Sequence, residues 1–276
     1  MKYFSSFFLI SAFCLSLSAQ TNTYAGWVNR SAKFIENNQL DSAAVALQNA
    51  MKLDPANENN SVLLMNLGVL QHQLRLPDDA YISFTASLGN SPDSVLVLHN
   101  RASLLCDLGR FDEAMEDYNS IIEKQPTNVE AYYRRGLLFL EKNDRKNAET
   151  DFKACEKIDS GNLFTKLSRA LTFKLDDNWT EAEKIYTDII NTETKTNSSY
   201  YLNRAECYVN TDRFSKAAAD LHAIGNMEKD NPYFYMLRGR LRLEQFDKFA
   251  AKADFEKAKE LGYDTELANK WIERAK

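Results

Sequence analysis

The amino-acid sequence predicts an all-α chain, an α-solenoid of seven helix-turn-helix units closed by a C-terminal capping helix. Three observations lead to this fold class. Apolar residues recur at helical spacing in two stripes per unit, and the pattern repeats every 34 residues. Only 9 glycines and 5 prolines occur in 276 residues, which argues against a turn-rich β protein of this length.

The clearest repeat is residues 95–128, where an apolar stripe, a turn at Gly109 and a second stripe follow one another. Small residues at positions 8, 20 and 27 of the repeat let two helices approach closely, and large residues at positions 4, 11, 17 and 24 fill the space around them. Numbered one to seven in chain order, the predicted repeats are 24–57, 61–94, 95–128, 129–162, 163–196, 198–231 and 232–265, followed by a capping helix at 266–276.

This pattern resembles the tetratricopeptide repeat family over residues 24–265, and seven successive matches in near-constant phase make the resemblance specific. The resemblance implies a right-handed solenoid whose first helices line the concave surface. It also implies that the chain binds another protein or peptide and is not an enzyme. We expect residues 20–276 to form a single solenoid that behaves as one cooperative array.

Position 15 of each repeat, between the two helices, predicts a turn with a left-handed residue. Five repeats hold Asn, Asp or Gly there, which are the residue types that tolerate this backbone conformation. Arg75 and Phe246 depart from the pattern in repeats two and seven. The conforming residues are Asn38, Gly109, Asn143, Asp177 and Asp212.

Arginine occupies position 7 in six of the seven repeats, an arrangement that would suit an anion-binding ladder. Aspartate occupies position 23 only in repeats that carry this arginine, which favours structural ion pairs between helices instead. Arg30 and Arg169 lack such a partner and stay candidates for a functional role. The predicted pairs are Arg101–Asp117, Arg135–Asp151, Arg204–Asp220 and Arg238–Asp254.

Positions 5, 9 and 12 share one face of each first helix, which the resemblance places on the concave side. This face is apolar in the middle repeats and more charged toward the C-terminus. It is either a groove for a helical or extended apolar segment of a partner, or a set of side chains that bury one another. The candidate groove residues are Met65, Val69, His99, Tyr133, Leu137, Leu140, Phe164, Leu167, Leu171, Leu202, Glu206, Met236 and Arg240.

Residues 1–19 have the features of an export signal: a positive residue, the short apolar stretch Phe7–Leu17 and small residues before the cut. We expect cleavage after Ala19; cleavage after Ser18 and an uncleaved N-terminal anchor are the alternatives. The exported chain would lie in the periplasm or be released.

The composition limits the chemistry that we expect. A net charge of -5 without a basic cluster argues against nucleic acid, and against an anionic membrane surface, as main partners. Phosphate-binding and catalytic motifs are absent from the sequence, so we expect no enzyme and no cofactor. His72, His99 and Cys106 supply three zinc-type ligands without a motif spacing, so we expect no metal either. We expect the cysteines that follow the signal to be buried thiols.

The leading functional hypothesis is a protein–protein interaction scaffold of the bacterial cell envelope. Association with a membrane protein complex and self-association both stay open. The alternative is a glycan- or peptidoglycan-binding envelope protein that stacks aromatic rings on sugars, although three of the rings occupy packing positions. The aromatic candidates are Tyr133, Trp179, Tyr201, Tyr233 and Tyr235.

Overall fold

The computed structural model describes residues 22–276, so the predicted signal lies outside the described residues. Within this range the chain consists of α-helices and the turns that connect them, without a β-strand. The contacts divide the chain into an N-terminal half that ends at Ala148 and a C-terminal half that begins at Glu149. The division falls inside helix α8, and each half is described by itself.

In the N-terminal half, the helices come in the predicted pairs, with each short turn at the predicted position. These helices are α1 (Tyr24–Glu36), α2 (Leu40–Leu53), α3 (Asn60–Gln73), α4 (Pro77–Asn90), α5 (Val95–Asp107), α6 (Phe111–Lys124), α7 (Val129–Glu141) and the start of α8 (Arg145–Ile158).

The C-terminal half continues the pattern and ends in a single additional helix, as predicted. Its helices are the rest of α8, α9 (Leu163–Leu175), α10 (Trp179–Thr192), α11 (Ser198–Val209), α12 (Phe214–Ile224), α13 (Pro232–Glu244), α14 (Lys248–Glu260) and α15 (Thr265–Arg274).

Small residues at position 8 have the packing role that the sequence predicts. A Cβ atom on Gly68 of α3 would lie 2.7 Å from Cε1 of Phe84, and one on Gly239 of α13 would lie 2.5 Å from Cε1 of Phe255. Both phenylalanine rings are buried. The first helix of each of these repeats therefore meets its partner helix at a distance that only glycine permits.

The capping helix α15 closes the apolar end of the C-terminal half. Ala268 and Ala275 are buried against a cluster that contains Phe255. The Trp271 ring lies 5.7 Å from the Phe255 ring, centroid to centroid. Because α15 covers side chains that a following repeat would otherwise cover, it provides the terminal cap that repeat stacks require.

All seven repeats adopt the predicted turn with a left-handed residue at position 15. The amide after this residue donates to the carbonyl five residues earlier, for example Gln39 to Phe34 at 2.8 Å and Leu76 to Gln71 at 2.9 Å. Arg75 and Phe246 both adopt φ 63°, so the repeat geometry imposes the turn even where the residue type does not favour it.

None of the helices in residues 22–276 is long and apolar enough to cross a membrane.

Candidate protein-binding faces

Three of the four predicted arginine–aspartate pairs are present, each within one repeat and joining its first helix to its second. Each pair has two hydrogen bonds, one from Nε and one from Nη2. The Nε–Oδ2 and Nη2–Oδ1 distances are 2.9 and 2.6 Å in Arg101–Asp117, 2.8 and 2.7 Å in Arg204–Asp220, and 2.9 and 2.7 Å in Arg238–Asp254. The aspartates are buried, so the pairs belong to the structural framework. The residues of the fourth pair, Arg135 and Asp151, belong to different halves, and this pair stays a prediction.

The two arginines without a position-23 aspartate also have contacts within the chain. Arg169 forms an ion pair with Glu156 at 2.6 Å, and the Arg30 guanidinium lies 4.4 Å from the centre of the Trp27 ring. The hypothesis that these two arginines are left for an anionic ligand therefore has no support from their surroundings.

Arginines at position 7 also make a second contact, which the sequence analysis missed. Nη1 of Arg101 donates to Thr85, and Nη1 of Arg204 donates to Thr187, each at 3.4 Å. Both threonines occupy position 25 of the preceding repeat, and Arg135 likewise donates to Asn119 at 2.7 Å. The arginine thus links one repeat to the previous one. The oxygen-bearing side chains at position 25 could have predicted this contact from the sequence.

In the N-terminal half, the prediction that Met65 and Val69 line an open groove is wrong. Their exposed fractions are 3% and 1%, and they belong to the same core cluster as Val97 and Leu104 of the next first helix, α5. Successive first helices lie close enough for these side chains to fill the space between them. The half-buried candidates that remain here, which we call the first face, are His99, Tyr133, Leu137 and Leu140.

His99 is the polar member of the first face. Its ring packs edge-on against Tyr118 with a centroid distance of 5.9 Å, and Nδ1 has no hydrogen-bond partner among the described residues. Burial lowers the pKa of His99 below its usual range, although Glu130 nearby acts in the opposite direction. The first face therefore presents a neutral imidazole among apolar side chains at neutral pH.

In the C-terminal half, Leu202 and Met236 are likewise buried, which corrects the prediction for both. Leu202 packs in one cluster with Leu237 of α13, and Met236 packs in another with Ala268 of α15. In each case the next helix in the stack covers the side chain. The half-buried candidates that remain here, which we call the second face, are Phe164, Leu167, Leu171, Glu206 and Arg240.

The charged end of the second face is tied into a polar network between first helices. Lys174 Nζ lies 2.5 Å from Oε2 of Glu206, with both side chains 13% exposed, and it donates to Asn203 at 2.7 Å. Burial, followed by the charge of Glu206, raises the pKa of Tyr233. Arg240 donates to Asn210 at 3.0 Å. These groups are engaged with one another by ion pairing and hydrogen bonds, so the apolar part around Leu167 and Leu171 is better suited to a partner.

The aromatic residues proposed for sugar stacking have packing roles in the C-terminal half. Trp179 packs against the cluster around Tyr186, while Tyr201, Tyr233 and Tyr235 pack against the cluster of α11 and α13. Sugar stacking requires one open ring face, and these rings are partly covered by the core. This arrangement counts against the glycan alternative.

A shallow cleft of about 370 Å³ lies among α3, α4 and α5. Its carboxylate, Asp93, pairs with Lys124 at 2.5 Å. Its Ser87 hydroxyl donates to the Ser61 carbonyl at 2.6 Å. These two polar groups of the lining already have partners within the chain.

The residues considered for metal binding and for thiol chemistry are engaged in contacts within the chain or shielded by burial. His72 pairs with Asp107 at 2.9 Å, and residues 22–276 contain no group of three or more His, Cys, Asp or Glu that could hold a metal ion. Burial raises the pKa of Cys106 to about 11 and that of Cys155 and Cys207 to about 12. All three are free thiols, and such pKa values disfavour the reactive thiolate.

Comparisons with known proteins agree with this architecture. Two family models match, one described as TPR repeat over residues 102–143 and one as tetratricopeptide repeat over residues 129–162. The crystal structure of a tetratricopeptide repeat protein from Parabacteroides merdae matches with a TM-score of 0.70 and 31% identity. The match covers 91% of this chain and 98% of that chain.

Curated relatives are more distant. Human DnaJ homolog subfamily C member 3 is 24% identical over 171 residues, which cover 55% of this chain and 33% of that protein. A Dictyostelium discoideum DnaJ homolog subfamily C member 7 homolog is 22% identical over 275 residues, covering 91% of this chain and 51% of that protein. The matches thus span from a third to about half of the length of these two relatives.

Repeat proteins of this fold generally act as scaffolds for protein–protein interaction and not as enzymes. The two repeat models and a relative of 31% identity over nearly its whole length show that this chain belongs to the tetratricopeptide repeat family.

Proposed function

We propose that this protein is an interaction scaffold of the bacterial cell envelope that binds a helical or extended apolar segment of a partner protein. The observation that carries the proposal is the set of half-buried apolar side chains on the first helices, Leu137 and Leu140 on α7 and Leu167 and Leu171 on α9. Apolar side chains that a helix leaves partly open suit an amphipathic helix or an extended strand of a partner.

The envelope location rests on the export-type pattern of residues 1–19 and on the bacterial relative from Parabacteroides merdae. We expect the protein recovered from the periplasmic fraction to begin at Gln20, as N-terminal sequencing would show. Recovery in the membrane pellet with the N-terminus intact would contradict cleavage and would favour the anchor alternative.

Photo-crosslinking tests the two faces separately. A benzophenone amino acid replaces Leu137 on the first face, Leu171 on the second face, or Ile82, an exposed residue of α4, as the control position. We expect crosslinks to a defined protein from position 137, position 171 or both, but not from position 82. The crosslinked segment should carry apolar residues at helical or alternating spacing.

A charge variant makes the same test without crosslinking. Tyr133→Glu/Leu137→Glu/Leu171→Glu should lose the partner in a pull-down from the native envelope, whereas Val45→Glu/Ile82→Glu, which alters exposed residues of second helices, should retain it. Circular dichroism checks that both variants keep their helical content. Equal recovery by both variants would place binding elsewhere, and recovery of peptidoglycan without protein would support the glycan alternative.

A further inference from the structure

The turn of repeat seven differs from the turns of all other repeats at two positions. Position 15 is polar or glycine in repeats one to six, and position 18, near the start of the second helix, is polar in all six. Repeat seven has Phe246 and Phe249 at these two positions. The polar equivalents at position 18 are Asp41, Asp78, Asp112, Lys146, Thr180 and Ser215. The turns of repeats one to six therefore show that the fold needs no aromatic residue at either position.

Both phenylalanine side chains project into solvent. Phe246 is 90% exposed and Phe249 is 88% exposed, whereas the next most exposed large hydrophobic residue in the described part of the chain is Ile82 at 63%. Neither ring belongs to a hydrophobic cluster of the C-terminal half. Exposing two such rings three residues apart lowers solubility without contributing to the core, so a function outside the fold is the simplest reason for their presence.

The backbone at these two positions is held by local contacts. Phe246 has φ 63°, a conformation that is a genuine outlier for a bulky residue. The Asp247 carboxylate accepts a hydrogen bond from the Ala250 amide at 3.0 Å and so caps helix α14, on whose first turn Phe249 lies. The repeat geometry and the helix cap therefore hold the backbone from which both aromatic side chains project.

The apolar area of Phe246 and Phe249 and the charges around them identify the most suitable partner for this surface. Two phenylalanine side chains offer about 400 Å² of apolar surface, about half of the roughly 800 Å² that each partner buries in a standard protein interface. A lipid interface accepts protruding rings without a shaped pocket. Around the rings, the charges of Glu244 and Asp247 cancel those of Lys248 and Lys252, so attraction to anionic lipid is not what would hold the contact.

We propose that Phe246 and Phe249 form a membrane-docking corner that inserts both rings into the interfacial region of a lipid bilayer. The ammonium groups of Lys248 and Lys252 would lie at the level of the lipid headgroups. Lys248 has no ion-pair partner among the described residues that would restrain its side chain. The corner would thereby bring the scaffold to a membrane surface without a spanning helix. This proposal does not depend on the two faces proposed for protein binding.

Vesicle co-sedimentation tests the docking corner. The protein as purified from its host is mixed with phosphatidylcholine vesicles, and the partition coefficient is compared with that of Phe246→Asp/Phe249→Ser. This variant copies the residues of repeat six, Asp212 and Ser215, so it keeps a turn that the fold already uses. We expect the variant to lose at least about tenfold in partitioning while keeping its helical content and melting temperature. Ile82→Ser, the matched exposed control, should partition like the wild type.

Three outcomes would overturn the proposal. The first is that the wild-type protein does not partition onto the vesicles. The second is that the double variant partitions like the wild type. The third is that about 1 M salt abolishes the partitioning, which would identify surface charge as the cause. A wild-type dimer that the double variant disrupts, without vesicle binding by either, would instead identify the corner as a contact between two copies.

Insertion can also be observed directly at the corner. Phe249→Trp should give a blue-shifted emission with vesicles, beyond that of the native tryptophans, and quenching by brominated phosphatidylcholine. An unchanged emission of this variant, together with undiminished vesicle binding, would place the membrane contact elsewhere.

Discussion

Arg101 and Asp117 meet in a two-point ion pair that joins α5 to α6, with Nη2 2.6 Å from Oδ1 and Nε 2.9 Å from Oδ2. The Asp117 side chain is only 4% exposed. The pair raises the pKa of Arg101 through the hydrogen bond to Asp117. Repeat two has Leu67 and Ser83 at the same two positions, where the Ser83 hydroxyl donates to Gln71 at 2.6 Å, so one chain contains a charged and an uncharged version of these two positions.

The two versions lead to a prediction about stability. Arg101→Leu should destabilise the chain by about 3 kcal/mol, because it leaves a buried carboxylate without its partner. Arg101→Leu/Asp117→Ser, which copies positions 7 and 23 of repeat two but not its Gln71, should cost less, about 1–2 kcal/mol, because no unpaired charge remains. Urea unfolding followed by circular dichroism measures both. A double variant at least as destabilised as the single one would show that the pair itself contributes the stability.

The position-8 glycines lead to a second prediction. Gly68→Ala and Gly239→Ala should each destabilise the chain by about 1–3 kcal/mol, because the new methyl group would overlap the Phe84 or the Phe255 ring. Gly89→Ala in α4 is the matched control: nothing lies within 4 Å of the added Cβ. This control should stabilise the helix by up to about 1 kcal/mol. Equal effects at all three sites in thermal unfolding would refute the packing argument.

Acid sensitivity should arise in part at His99. Its pKa lies below the ordinary value of 6.5 in the folded chain, mainly because of burial. The unfolded chain therefore binds the proton more readily, and stability should fall as the pH drops from 6.5 toward the folded-state pKa. His99→Gln should flatten this part of the profile, whereas His222→Gln, at an exposed residue of α12, should not. Urea midpoints across this pH range give the comparison, and parallel profiles for all three proteins would contradict it.

We also predict that the chain unfolds as one cooperative array. Trp27 lies in the N-terminal half, and Trp179 and Trp271 lie in the C-terminal half. Variants that keep either Trp27 alone or Trp271 alone should report the same urea midpoint, because neighbouring repeats stabilise one another. Two separate midpoints, each matching one step of the circular dichroism curve, would show that the halves unfold independently.

Much of the fold could be predicted because its causes are periodic. The phase of the alanines and aromatic residues located the helices and turns, and the joint occurrence of Arg204 with Asp220 predicted their ion pair before any distance was known. At Arg75 and Phe246 the residue type did not predict the left-handed turn, and both residues adopt it because the same two helices recur on both sides of them.

The candidate faces were harder to predict because exposure depends on neighbouring helices. Met65 and Val69 have the same helical spacing as Tyr133 and Leu137, yet the first two are buried and the latter two are half-buried. Spacing within one helix shows which side chains share a face, but it does not show how closely the next first helix approaches that face.

The sequence by itself determined the all-α repeat architecture, the position of each turn and the pairing of buried charges, because these follow from local backbone preference and from a repeated pattern. Only the tertiary structure decided which of the predicted groove residues are open and which aromatic residues are not covered. Trp271 and Phe249 show this difference: both are large aromatic residues near helix ends, but one packs on Phe255 and the other projects into water. The physical reason is that burial is a property of two surfaces in contact, and a sequence pattern describes only one of them.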